Sequence, residues 1–132
     1  MGLWQGEFAM AQQGLDVVSL DFSPSAQIKA AQLAKRNGVE MKIVQSDVHN
    51  WEYPAEAFDV VVEIFTQFSS PDQRHLKWTR MKNALKPGGM MIIQGYTPNQ
   101  LKYATGGPKK IENLYTRKML EEEIGRASCR ER

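Results

Sequence analysis

Two acidic residues hold matching places in this chain of 132 residues, each just beyond a short apolar run and ahead of a polar turn. Asp21 follows Val17, Val18 and Leu20; Asp47 follows Val39, Met41 and Ile43. A carboxylate accepts hydrogen bonds from hydroxyl and amino groups. At the carboxyl end of a parallel strand, beside the crevice of an α/β sheet, that chemistry holds a ribose. The same pattern at Asp21 also fits a turn or capping residue, and local sequence leaves both readings open. Other reactive groups are sparse. His49 and His75 lie far apart with no cysteine partner, so no metal site is expected. Cys129 sits among arginines near the end of the chain and has no second cysteine to bridge.

The elements that must position these acids follow from periodicity. A mildly amphipathic segment over residues 3–13 feeds a first strand at Val17 to Leu20, with Gly14 stopping the helix. Ser23 and Pro24 open a helix that runs to Gly38, with Ile28, Ala31, Leu33 and Ala34 on its apolar face. Alternation over residues 39–44 predicts a second strand, and the β-branched run over 58–65 predicts a central one. Ser69, Ser70 and Pro71 start a second long helix, with Leu76, Met81 and Leu85 as its core candidates. Residues 86–89 form a sharp turn before a strand at 90–95. Thr116 caps a last helix whose Met119, Leu120 and Ile124 face inward. The alternation predicts an α/β domain over 1–125, with a mostly parallel sheet and a polar tail at 126–132.

Composition narrows the partners. Seventeen basic against fifteen acidic side chains give a formal charge of +2, which argues against nucleic acid or a membrane surface. No apolar run is long enough to cross a bilayer, and the opening residues do not read as a signal peptide. With a single cysteine, a cytoplasmic protein is expected.

Taken together, Leu20-Asp21-Phe22-Ser23-Pro24, Gln45-Ser46-Asp47, Phe58-Asp59-Val60-Val61-Val62 and Leu85-Lys86-Pro87-Gly88-Gly89 resemble class I S-adenosylmethionine-dependent methyltransferases. The segments at 96–98, 105–108 and 114–116 look like the tellurite-resistance or thiopurine-type small-molecule branch. The resemblance implies a Rossmann-like core and S-adenosyl-L-methionine as cofactor. It implies that Asp21 binds the ribose hydroxyls, Phe22 lies against the adenine, Asp47 accepts from the adenine amino group and the backbone of Val48 touches the ring. Glu63 and Ile64 would lie near the methionine portion. Family members open with a strand and an Asp-x-Gly-x-Gly loop, and close with an antiparallel strand pair. Residues 1–7 and 125–132 do not match those parts. The expectation is therefore a core lacking the first strand and the last two, with a homodimer completing it.

Two functions follow: methyl transfer from the sulfonium to a small-molecule acceptor, or a non-catalytic, self-associating derivative. Tyr96, Tyr103 and Tyr115 either line the acceptor pocket or seal the sheet end. A nicotinamide or nucleotide enzyme is disfavoured, because neither a glycine-rich fingerprint nor a phosphate-binding lysine loop is present.

Overall fold

The computed structural model describes residues 5–64, 67–99, 101 and 110–125. The chain divides into two compact units, Met1–Trp51 and Glu52–Arg132. Among the described residues the strand pairing is parallel, as expected, and it forms two two-stranded sheets, Val18–Asp21 with Lys42–Gln45 and Phe58–Ile64 with Leu85–Gln94. The tail at 126–132, with Cys129, and the turn at 105–108 lie outside the described residues.

The first unit runs α1 (Gln5–Gln12), β1 (Val18–Asp21), α2 (Pro24–Arg36) and β2 (Lys42–Gln45). Val18 faces Lys42 and Asp21 faces Gln45 across the pair. Ser23 caps α2 by accepting the Ala26 N–H at 3.3 Å, and Pro24 occupies the first turn. The second strand begins three residues later than the alternation predicts. Gly38 turns the chain at φ +64° and the Val39 N–H donates back to the Ala34 carbonyl, so these residues finish the helix instead. The buried face of α2 is Ala30 and Ala34, whereas Ile28 is exposed. Small side chains let the helix backbone approach the strands closely, and the helical period places Ala30 with Ala34 rather than with Ile28.

The second unit runs β3 (Phe58–Ile64), α3 (Pro71–Ala84), β4 (Leu85–Gln94), a short 3₁₀ turn (Ile111–Asn113) and α4 (Arg117–Ile124). Ser70 and Gln73 form a reciprocal capping box at the start of α3. Thr116 caps α4 through the Met119 N–H at 3.1 Å. Residues 86–89 do turn, but inside β4. Phe58 pairs with Leu85 and Val60 with Met90, so the turn bulges opposite Asp59. Gly88 takes φ +80° there, and a Cβ on Gly89 would stand 2.8 Å from the Lys86 carbonyl oxygen.

One face of the β3–β4 pair carries the core. Val61, Met91 and Ile93 pack with Tyr53, Met119, Leu120 and Ile124 around Trp78, Met81 and Tyr115. Val60, Met90 and Ile92 on the other face are exposed. Leu76, expected inside, is exposed; the inner stripe of α3 is Arg74, Lys77, Trp78, Met81 and Ala84. That stripe has helical spacing, but two of its members are basic, which hid it from an apolar-pattern reading.

These basic residues answer a buried acid. Glu63 is 2% exposed, Lys77 1% and Trp78 fully enclosed. Lys77 Nζ stands 2.5 Å from Glu63 Oε1, Trp78 Nε1 donates to the same oxygen at 3.3 Å, and the Tyr115 hydroxyl donates to Oε2 at 2.9 Å. The Arg74 guanidinium lies 5.5 Å from the Trp78 ring centre and 5.9 Å from that of Tyr115, while its Nη1 donates to the Glu112 carbonyl at 2.8 Å. Burial, then the Glu63 charge and the hydrogen bond to it, push the Tyr115 hydroxyl far above its ordinary titration range, partly opposed by Arg74.

The end of β4 is fixed by close packing. Gln67 accepts the Tyr96 N–H at 2.6 Å and donates to the Tyr96 and Asn113 carbonyls at 2.9 and 3.0 Å. A Cβ on Gly95 would meet the Tyr115 ring at 2.6 Å and the Gln67 amide carbon at 2.9 Å. Gly95→Ala should therefore cost about 1–3 kcal/mol by overpacking, read as a lowered midpoint in urea with unchanged slope; an unchanged midpoint would show that this junction yields freely. Tyr115 gives a pH prediction. The unfolded chain releases the tyrosine proton near pH 10 while the fold retains it, so stability should fall as pH rises above about 10, by up to roughly 1.4 kcal/mol per pH unit from this group. Denaturant titrations of wild type and Tyr115→Phe from pH 9 to 11 should show a shallower alkaline loss in the variant.

Candidate functional site

In the first unit, both sequence-identified acids stand at the carboxyl end of one parallel strand pair. Asp21 ends β1 opposite Gln45, and Asp47 follows two residues beyond β2. Asp21 Oδ1 accepts the Ser23 N–H at 2.8 Å, which sets the turn into α2. Its Oδ2 has no donor among the described residues. Phe22 is 72% exposed. The strand ends are clipped from α2 by Gln27, whose Nε2 donates to the Asp21 carbonyl at 2.8 Å and to the Val44 carbonyl. The sequence reading passed over Gln27; its signal was an amide in the first turn of a helix that must pack on two strands.

Asp47 organises the next turn. Its main-chain carbonyl accepts the N–H groups of Asn50 and Trp51 at 3.0 and 2.9 Å. Oδ1 accepts the His49 N–H at 2.9 Å and stands 3.0 Å from His49 Nδ1; Oδ2 accepts from Asn50 Nδ2 at 3.2 Å. The Asp47 side chain remains 39% exposed and that of His49 18%. Val48 between them is half-buried. His49 entered the sequence reading only as a rejected metal ligand, and among the described residues no cluster of ligands suited to a metal occurs.

In the second unit, Glu63 and Ile64 occupy the last two positions of β3, paired with Ile93 and Gln94. The Glu63 carboxylate, expected at the methionine end of a cofactor, is turned into the core and bonded to Lys77, Trp78 and Tyr115. Ile64 is half-buried. Tyr115 is buried and seals the sheet rather than lining a pocket; Tyr103 lies outside the described residues.

A shallow groove in the first unit is lined by Gly14, Leu15, Asp16, Gly38, Val39 and neighbouring residues. It adjoins the amino ends of β1 and β2, the end opposite Asp21 and Asp47, and has no share in their chemistry. No helix among the described residues is long and apolar enough to cross a membrane.

Comparison with known proteins bears on the whole arrangement. A family model described as a methyltransferase domain matches residues 2–89. The carboxy-S-adenosyl-L-methionine synthase of Vibrio campbellii is 34% identical over 86 residues, covering 62% of this chain and 34% of that protein. The chain thus spans about a third of the length of that curated relative. Among solved structures, the PH0226 protein of Pyrococcus horikoshii OT3 superposes with a TM-score of 0.79 at 19% identity, covering 93% of this chain and 67% of that one. TehB from Haemophilus influenzae superposes with a TM-score of 0.74 at 16% identity, covering 92% and 42%. The strand–acid turns, the parallel pairs and these likenesses agree: the chain belongs to the methyltransferase-domain family and carries a class I S-adenosylmethionine-dependent methyltransferase fold.

Proposed function

We propose that this chain binds S-adenosyl-L-methionine and serves methyl transfer to a small-molecule acceptor. The observation that carries the reading is the placement of Asp21 and Asp47 at the carboxyl end of one parallel pair, in a chain of the methyltransferase-domain family. The residues suit an adenosine. Asp21 keeps one carboxylate oxygen without a protein donor for the ribose hydroxyls, Asp47 is accessible to an amino group, and Phe22 presents an exposed ring for the base. The backbone of Val48 completes the adenine contacts. The Glu63 side chain is engaged in the core with Lys77, Trp78 and Tyr115, so it is not free for the methionine portion.

When bound, the cofactor supplies an electrophilic methyl group on a sulfonium. What the chain supplies is orientation and exclusion of water; the reading needs neither a protein nucleophile nor a metal. The small-molecule branch that the sequence resembles favours a small acceptor over a macromolecular one.

A second reading, a non-catalytic homodimer, draws on the exposed Val60, Met90 and Ile92 on the outer face of β3–β4. Sedimentation velocity separates it: a dimer that Met90→Lys converts to monomer supports association through this face, and a monomeric wild type at 50 μM, about the concentration where weak apolar contacts first show, removes it.

Cofactor binding is tested by calorimetric titration with S-adenosylmethionine and S-adenosylhomocysteine. Asp21→Ala should weaken binding at least about tenfold, the worth of hydrogen bonds to a charged acceptor. Asp21→Asn, which keeps an acceptor for the Ser23 N–H, separates loss of charge from loss of the turn. A folded wild type that binds neither compound defeats the proposal.

A further inference from the structure

We propose that His49 is a positioning residue that gives Asp47 its preference for an amino-bearing purine over an oxo-bearing one. The inference rests on the cofactor reading above and deepens it by naming what sets base selectivity.

The geometry is specific. His49 Nδ1 stands 3.0 Å from Oδ1, within reach to donate to this carboxylate from the form that carries hydrogen on Nδ1. The His49 main-chain N–H holds the same oxygen at 2.9 Å. One residue therefore grips Oδ1 twice, from the backbone and from the ring. Among the described residues, the donor on Oδ2 is Asn50 Nδ2, at the longer distance of 3.2 Å. A carboxylate accepts about four hydrogen bonds. The side chain is 39% exposed, and among the described residues Oδ2 has fewer donors than Oδ1, so Oδ2 is the oxygen with more capacity for a ligand's donor.

A carboxylate fixed in this way discriminates. Adenine offers its exocyclic amino group as a donor. Hypoxanthine offers a carbonyl at that position, with a donor on the adjacent ring nitrogen. Against a rigid acceptor, the hypoxanthine carbonyl meets an oxygen of like charge, and both groups lose solvation without gaining a bond. A carboxylate free to rotate about its Cβ–Cγ bond can instead turn to the ring N–H and recover most of the loss. The His49 ring, a second group on Oδ1 beside the main-chain N–H and with Asn50 on Oδ2, raises the cost of that rotation. His49 is itself held at only 18% side-chain exposure, so its ring is not a freely moving surface group.

The test compares calorimetric affinities of the full chain for S-adenosylhomocysteine and S-inosylhomocysteine, with thermal melting to confirm folding of each variant. Wild type should prefer the adenine compound by at least about tenfold, as one mismatched polar contact costs. In His49→Ala the preference should fall below about threefold, mainly through tighter relative binding of the inosine compound. His49→Gln keeps the bulk and the main-chain N–H without a donor at the Nδ1 position, so it gives the same answer if the alanine variant does not fold. His49→Asn, whose side-chain amide nitrogen lies where Nδ1 does, should restore the preference. If His49 only stabilises the turn, the variants weaken both compounds alike and the ratio stays at the wild-type value, which overturns the inference while leaving the cofactor reading standing. A folded wild type that binds neither compound overturns both.

Discussion

A buried negative charge near the end of an apolar strand is the constraint on which the second unit depends. Glu63 lies in the core-facing row of β3, with Val61 before it, and is enclosed. Left alone, such a charge would cost several kcal/mol of lost hydration. The surroundings are arranged to meet it. Lys77 supplies the countercharge, Trp78 and Tyr115 supply neutral donors, and Arg74 covers both rings. Opposed charges of this kind do not by themselves make a fold more stable than a well-packed apolar core, but removing one partner costs about 3–5 kcal/mol. The network therefore specifies a single register: α3 must present Lys77 and Trp78 to β3, and the segment before α4 must bring in Tyr115.

In both units a glutamine amide braces main chain near a strand end. Gln27 donates from α2 to the carbonyls of Asp21 and Val44, the last or near-last residues of β1 and β2. Gln67 both donates to and accepts from Tyr96, just beyond β4, and reaches Asn113 as well. Strand ends leave backbone groups without ladder partners, and buried ones must be satisfied. An amide side chain carries one acceptor and two donors, so it can serve two strands at once. In the first unit this fixes the place from which the Asp21 carboxylate projects, because the same residue is clipped through its carbonyl.

The acid-bearing turns show how structure and proposed chemistry share residues. Asp21 uses Oδ1 to begin α2, and among the described residues its Oδ2 has no donor; Asp47 uses its carbonyl and Oδ1 to build the 47–51 turn while its side chain stays 39% exposed. Neither carboxylate is merely a cap or merely a ligand group. Each is oriented by its structural bond, which is the condition for a selective acceptor.

Much of this was legible in the chain itself. Caps at Ser23, Ser70 and Thr116, prolines in the first helical turns and β-branched runs determine the helices and strands locally, through bonds between residues three or four apart. The repeated strand-then-acid order likewise placed Asp21 and Asp47 before any fold was known. What the sequence did not disclose are relations across long separations. The direction of the Glu63 side chain depends on Lys77 and on Tyr115, 52 residues away. The inner face of α3 was concealed because Arg74 and Lys77 look like surface residues until the buried acid they serve is identified. Leu76 is exposed although apolar; hydrophobicity alone does not say which side of a helix faces inward. Local hydrogen bonding determines where elements start and stop; only tertiary packing decides which charges are buried, because burial of a charge is set by partners the local sequence does not contain.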